Sequence, residues 1–411
     1  MALVHMRDML SHAYRNGYAV GAFDLVSLDF LQAIVEAAES CQAPVILSLA
    51  ESHFAYFDFE LTMPAVEAAA RRAAVPVAIH LDHGASLQSA IDGIRLGCNG
   101  VMVDNSLLPL EENIERTRTV VDMAQSCDVP VEGELGYVAG VEGEDAERHP
   151  GEIVYTSAEE AWHYVESTRV DFLAVSIGTV HGRMKGHPNL DFERLAQINE
   201  ALNLPLVIHG GTGLSATQFQ RLIANGVAKI NYYTALADAA GEKITDNLRG
   251  AAKGYTQCVR DVQTAIRTEV ERCIRLWGGA GRAADVLQRC RAWQNVEHLI
   301  FYNLACTSEQ ARTVIAEGER VLSTIPGVRQ VFAGKAIAQD GHYQYCWRVQ
   351  FASRAVVDSY RDHPLHVSYA DSYFRPNAGD RVTQDFAPAL AANEAPVAEP
   401  PAEQAATNQE A

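Results

Sequence analysis

Three short stretches carry the residue types that hold and activate polar ligands, and they share one pattern. His80-Leu81-Asp82-His83-Gly84 follows an apolar run from Val75 to Ile79, Gly178-Thr179-Val180-His181-Gly182 follows Phe172 to Ile177, and His209-Gly210-Gly211-Thr212-Gly213 follows Leu206 to Ile208. Short β-branched runs mark buried parallel strands, so each cluster belongs at the carboxyl end of a strand. One imidazole there is more often a satisfied polar residue than a ligand. Three of them, His83, His181 and His209, with an open fourth position, match a catalytic zinc site better than a structural one, which cysteines close. The adjacent glycines let the backbone approach a bound group closely.

Consecutive strand residues point to opposite faces, so Asp82 and His83 reach one site only where the strand ends and the chain turns. Asp82 reads either as a turn-forming or supporting carboxylate, or as the acid/base that works on a hydroxyl beside a Lewis acid. Glu132 and Glu134 share one face of their strand, with Glu134 nearer its carboxyl end. Glu134 is a candidate fourth ligand, a supporting partner or an interior ion-pair residue. Gly210 to Ser215 and Asn231 to Thr234 each lead into a helix N-terminus, where N–H groups and the helix dipole favour a phosphate. Arg183 and Lys185 could add charge from a loop.

These side chains meet only if their strands close around one axis. Strand patterns fall at Ala19 to Phe23, Val45 to Leu49, Val77 to Leu81, Gly100 to Val103, Val131 to Leu135, Phe172 to Ile177, Leu206 to His209 and Val227 to Asn231. Helical spacing follows each of them, with Ser86, Ser157 and Ser215 as N-caps. Eight βα units in roughly 240 residues indicate an α/β fold, a closed (β/α)8 or TIM barrel whose strand ends converge on one mouth. The long connections Gly136 to Thr156 (with Glu142, Glu144 and Asp145) and Gly178 to Leu190 (with Arg183, Lys185 and His187) are expected to be lids or disordered. Helical sequence from Tyr233 to Trp277 exceeds one barrel helix, so part of it is expected to cross to another subunit.

Gly278-Gly279-Ala280-Gly281 punctuates the chain. Beyond it, strands at Glu297 to Leu304, Val328 to Ala338, Tyr343 to Phe351 and Arg381 to Phe386 alternate with helices at Ser308 to Leu322 and Ser353 to Arg361. That order describes a small ferredoxin-like α+β domain. The expected division is a barrel over 1–280, the second domain over 293–390, and a disordered Ala/Pro/Glu tail over 391–411.

With 33 Lys plus Arg against 52 Asp plus Glu, the net charge of −19 disfavours nucleic acid and anionic membranes as partners. An anionic substrate therefore needs local positive groups. The eight cysteines form no CxxC pair and read as reduced thiols. With no signal-peptide pattern and no apolar run near the ~20 residues of a membrane span, a soluble cytoplasmic protein is expected.

Together, Gly21-Ala22-Phe23-Asp24, His80-Leu81-Asp82-His83, Glu132-Gly133-Glu134-Leu135-Gly136, Gly178 to Gly182, His209 to Gly213 and Lys229-Ile230-Asn231 resemble the class II, metal-dependent fructose-bisphosphate and tagatose-bisphosphate aldolases over about residues 1 to 275. The resemblance implies a lyase of carbohydrate metabolism and glycolysis. It implies Zn2+ on His83, His181 and His209, with another divalent ion as the alternative and a monovalent cation near the phosphate. Asp82 would be the acid/base, and Glu134 matches an alternative metal ligand. Gly182, Gly210, Gly211, Thr212, Asn231 and Thr234 would hold the phosphate of dihydroxyacetone phosphate, with Lys185 assisting. Tyr233 stands where fructose-specific members have Asp, and Asp24 replaces a usual Asn. Tyr255 and Arg260 keep the spacing of a segment whose Arg reaches a second phosphate from a neighbouring subunit, which implies a homodimer or homotetramer.

The C-terminal domain resembles the dimeric α/β-barrel (Dabb) stress-responsive domains through His298-Leu299-Ile300, Ile325-Pro326-Gly327-Val328 and Tyr360-Arg361-Asp362-His363-Pro364 with His366. Assembly is the plain expectation, and a second pocket using His298, His363 or His366 the sharper one. The competing readings of the whole chain are a metal-dependent sugar-phosphate epimerase and a non-catalytic sugar-phosphate sensor.

Overall fold

A computed structural model describes residues 2–138, 140, 153–183, 189–338 and 340–389. The chain opens with helix α1 (Met6–Arg15), followed by β1 (Val20–Asp24), α2 (Leu28–Cys41), β2 (Val45–Ala50) and a 3-10 turn (Glu51–Ala55). Next come α3 (Phe59–Arg72), β3 (Val77–Gly84), α4 (Leu87–Leu96), β4 (Gly100–Val103), α5 (Leu110–Gln125) and β5 (Val131–Leu135). The barrel is completed by α6 (Ala158–Thr168), β6 (Phe172–Val175), α7 (Phe192–Leu202), β7 (Leu206–Ile208), α8 (Ala216–Ala224), β8 (Val227–Tyr232) and α9 (Thr234–Arg249). Strands β1 to β8 pair in parallel, and β8 returns to β1, so the sheet closes. The expected N-caps Ser86, Ser157 and Ser215 each accept a hydrogen bond from the first turn of their helix.

The barrel has two unlike ends. At the amino-terminal ends of the strands, Met6, Met9 and Leu10 of α1 are fully buried against Val20, Ile46, Ala78 and Val207. Gly100 is required there because a Cβ would collide with the Met6 sulfur. This plug has no counterpart in the sequence reading, since α1 lies before the first barrel strand and mixes polar residues with its apolar stripe. At the opposite end the interior is polar: His80, Asp82, Glu132, Glu134, His209, Lys229 and Asn231 are all buried.

The long helical stretch after β8 is three helices: α9, the short α10 (Tyr255–Cys258) and α11 (Val262–Leu276). Gly250 ends α9 and Gly254, at φ +73, opens α10, which is why the expected continuous run breaks. Past the glycine punctuation, α12 (Ala283–Arg289) pairs with α1 through His12 and Asp285, 2.8 Å apart.

The C-terminal domain comprises β9 (Val296–Leu304), α13 (Ser308–Leu322), β10 (Val328–Lys335), β11 (Tyr345–Phe351), α14 (Ala355–Asp362), α15 (Pro364–Tyr369), a π turn (Ala370–Phe374) and β12 (Ala378–Phe386). Its antiparallel sheet runs β10-β11-β9-β12, the ferredoxin-like order. The sequence reading missed α15 and the π turn, and it started the last strand three residues late. The tail from 390 onwards lies outside the described residues.

This domain docks on the plugged end. Arg329 donates to both carboxylate oxygens of Glu67 at 2.8 Å and to the carbonyls of Arg95 and Leu96 at the end of α4. Ser353 and Ser359 donate to the Cys127 and Ser126 carbonyls below α5. Burial would raise the Glu67 carboxyl, but Arg329 and then Arg71 hold it down, to about 2. A depressed carboxyl adds stability that is complete above its unfolded value and is lost as pH falls through the folded one. Replacing Arg329 by Met should lower stability in urea at pH 7 by about 2–3 kcal/mol. The difference between variant and wild type should shrink as pH drops from about 4.5 towards 2; a pH-independent difference would contradict this account.

Candidate metal centre

The three imidazoles meet at the mouth. Ring centroids lie 5.2 Å apart for His83 and His181, 4.6 Å for His83 and His209, and 5.7 Å for His181 and His209. One nitrogen of each ring is engaged on the outside of the triangle. His83 Nδ1 is 2.9 Å from Asp104 Oδ2, His209 Nε2 is 3.0 Å from Glu132 Oε1, and His181 Nδ1 is 3.1 Å from the Val138 carbonyl. Such partners fix the tautomer and turn the other nitrogen towards a shared ligand. Accordingly, His83 Nε2 and His209 Nδ1 stand 2.9 Å apart, and the buried His181 Nε2 has no hydrogen-bond partner. These inward nitrogens lie within 4.8 Å of one another, as a shared cation requires.

The expected turn at Asp82 and His83 takes an unexpected form. Strand β3 does not end at Leu81 but runs on to Gly84, and its register against β4 slips between Leu81 and Gly84. His83 adopts φ +44. A bulge of this kind re-aims one side chain without ending the strand. Asp82 keeps the inward direction set by the strand, and the bulge swings His83 to the same side.

Beneath the imidazoles a buried network fixes Asp82. Lys229 Nζ is 2.7 Å from Glu132 Oε2 and donates to Asn231 Oδ1 at 2.7 Å; Asn231 Nδ2 then donates to Asp82 Oδ2 at 2.9 Å. Asp82 Oδ1 has no hydrogen-bond partner among the described residues. Burial alone would raise the Asp82 carboxyl, but His83, His209 and Lys229 hold it well below the usual carboxylate range. Burial pushes His181 and His80 down to about 3, so both rings are neutral. His83 goes the other way, raised by Asp82 and by its bond to Asp104 against the cost of burial. Glu134 is pushed well up by burial and then by Asp104.

The donor set fits a divalent cation. Asp82, Glu132, Glu134 and Asp104 crowd around Lys229 as the interior's ammonium. Neutral imidazoles with inward lone pairs and a carboxyl driven towards its acid form are what such a site shows before a cation supplies charge. His83, Asp104 and Glu134 form a second possible ligand group that shares His83 with the first, which places the sequence candidate Glu134 at the edge of the centre.

The phosphate candidates gather on the β7 and β8 side. Gly210 has φ +71 and a Cβ there would collide with the Val180 carbonyl; Gly182 has φ +84. Thr212 Oγ1 accepts from the Ala235 amide at 3.3 Å, joining the glycine turn to the first turn of α9 next to Thr234. Helix α8 satisfies its own N-terminus with a Ser215–Gln218 capping box, whereas the N-cap of α9, Tyr233, gives no side-chain cap. The α9 end is thus the better anion seat. Arg183 forms a bidentate ion pair with Asp238. Arg260 is exposed beyond α10 and shares no printed bond with the imidazoles in one chain. Lys185, His187 and most of both long loops lie outside the described residues.

Sequence reasoning missed Asp104 and His53. Asp104 follows β4 directly, so a carboxylate at a strand end was the available signal. His53 sits in the 3-10 turn after β2, where no motif marks it.

Residues 4–282 match the family model described as fructose-bisphosphate aldolase class II, and residues 296–388 match the stress responsive A/B barrel domain. The chain is similar to the YdjI aldolase from Escherichia coli K12, at 32% identity over 68% of this chain and 99% of that one, TM-score 0.62. It is also similar to a candidate fructose-1,6-biphosphate aldolase from Coccidioides immitis, at 29% identity over 67% and 97%, TM-score 0.60. A fructose-bisphosphate aldolase from Campylobacter jejuni shares the fold at 21% identity over 68% and 96%, TM-score 0.58.

Competition titration against a chromophoric chelator tests the centre. His181→Ala should abolish stoichiometric zinc binding, and Asp104→Asn should weaken it roughly 10- to 100-fold by freeing the His83 ring. Unchanged affinity in both variants would rule the site out.

Proposed function

The chain belongs to the class II fructose-bisphosphate aldolase family, and on that footing we propose that it is a zinc-dependent lyase that reversibly cleaves a ketose (bis)phosphate to dihydroxyacetone phosphate and an aldehyde. Fructose and tagatose 1,6-bisphosphates are representative substrates. The observation that carries the reading is a carboxylate with one oxygen fixed and one open, Asp82, set beside three imidazoles that face one another.

His83, His181 and His209 would hold the ion, with Glu134 as an alternative ligand. When bound, the ion supplies Lewis acidity that stabilises the negative charge of an enediolate. Asp82 Oδ1 takes the proton of the C4 hydroxyl as the C3–C4 bond breaks, and it returns that proton in condensation. Asn231 keeps Oδ2 occupied, so the same oxygen performs both transfers. Gly182, Gly210, Gly211, Thr212, Asn231 and Thr234 would seat the phosphate at the α9 N-terminus, with Lys185 assisting. Tyr233 would border the distal sugar, and Arg260 would serve a neighbouring subunit of a homo-oligomer. Lys229 is a poor Schiff-base nucleophile, since its ammonium is fully buried between Glu132 and Asn231. Among the described residues no helix is long and apolar enough to cross a membrane.

Coupled detection of dihydroxyacetone phosphate from a panel of ketose phosphates tests the reading. Exhaustive chelation should remove the activity and zinc should restore it. Asp82→Ala should lower kcat by roughly 10²- to 10⁴-fold while still binding metal. Normal cleavage by either preparation would refute the assignment.

A further inference from the structure

One side of the mouth is walled by rings that the reaction chemistry leaves unused. His53 is 4% exposed, and its ring centroid lies 4.4 Å from that of Tyr233. Tyr233 in turn packs on Phe30 at 6.1 Å. The wall is held rigidly. Glu51, in the same 3-10 turn, accepts from the Ala85 amide at 2.7 Å, which ties the turn to the end of β3. Phe54 stacks on Phe59 at 4.2 Å and anchors the other side of the turn. His53 lies close enough to Asp82 and His83 to be influenced by both charges. Tyr233 follows Asn231, which holds Asp82, by two residues. The pair therefore faces the oxygen assigned to the C4 hydroxyl, on the side away from the glycine turn of β7.

The charge of this wall is informative. Two buried carboxylates, Asp24 at the end of β1 and Asp82 on β3, flank the strand that leads to His53. The nearby cations are committed elsewhere: Lys229 to Glu132 and Asn231, and Arg183 to Asp238. An imidazole and a phenol can exchange hydrogen bonds with hydroxyl groups, but beside two carboxylates they do not compensate a phosphate dianion.

We propose that His53 and Tyr233 form the selectivity wall for the aldehyde half of the substrate, and that this wall takes an uncharged polyhydroxylated aldehyde, so that ketose 1-phosphates are cleaved in preference to 1,6-bisphosphates. The inference rests on the assignment of Asp82 and the imidazoles given above. His53 is a specificity residue. A site that hydrogen-bonds a substrate hydroxyl discriminates strongly against analogues that lack it.

The test compares zinc-loaded full-length enzyme on five- and six-carbon ketose 1-phosphates of matched C3 and C4 configuration, and on the corresponding 1,6-bisphosphate. Wild type should show kcat/KM at least ten-fold higher for the six-carbon 1-phosphate than for the bisphosphate. His53→Ala should lower kcat/KM for the six-carbon 1-phosphate at least ten-fold more than for the five-carbon one, and His53→Asn should recover part of the loss. Tyr233→Phe provides an independent variant with the same expected direction. Exchange of the dihydroxyacetone phosphate C3 proton in D2O by wild type reports on the shared chemistry without any aldehyde. Loss of that exchange would remove the aldolase reading and this inference with it. Normal exchange with a preferred bisphosphate, or with equal losses on both 1-phosphates, would overturn the selectivity wall alone. A bisphosphate preference abolished by Arg260→Ala would assign the distal end to the neighbouring subunit instead.

Discussion

The barrel interior encloses more negative charge than its own cations offset, and much else follows from that imbalance. Asp82, Glu132 and Glu134 are buried within one layer, with Asp104 at its edge and the Lys229 ammonium among them. Burying an unpaired carboxylate costs several kcal/mol, so a chain would not keep this composition as packing material. Lys229 settles part of the account by binding Glu132 and Asn231 together. The remainder is left for a cation from solution, and the inward nitrogens of three imidazoles mark where it belongs. Selecting the centre and stabilising the upper barrel are therefore one electrostatic problem.

Much of this was legible in the sequence because it is local. Apolar runs ending in His-Gly identify strands and the end at which their chemistry sits, and serine caps locate the helices between them. The bulge at His83 was only half legible. The adjacency of Asp82 and His83 demanded a turn, but whether the strand stops or bulges depends on how β3 pairs with β4. Residues placed by long-range packing escaped altogether. Helix α1 acquires its meaning only when the barrel closes over Met6 and Met9, and His53 only when the turn after β2 meets Tyr233 across the mouth. Asp104 was a different omission: its position after β4 was visible, but one carboxylate without a neighbouring glycine or histidine draws no notice.

The second domain shows what the two ends of the barrel are for. Its anchors are Arg329, Ser353 and Ser359, and they take hold where α4 and α5 finish. An arginine at a helix carboxyl end also answers the negative pole of that helix. Since α1 already seals this end, the joint can be strong without communicating with the polar layer above.

The plug separates two design problems that a barrel with an open base would have to solve together. Whatever the C-terminal domain recruits or assembles, it does so on the closed face, and substrate traffic continues unobstructed through the other. Sequence change at the joint is thereby tolerated by the chemistry, and change around the mouth is tolerated by the joint. A fusion built this way leaves each half open to independent divergence, so one catalytic scaffold can acquire a new assembly partner without altering how it handles a proton.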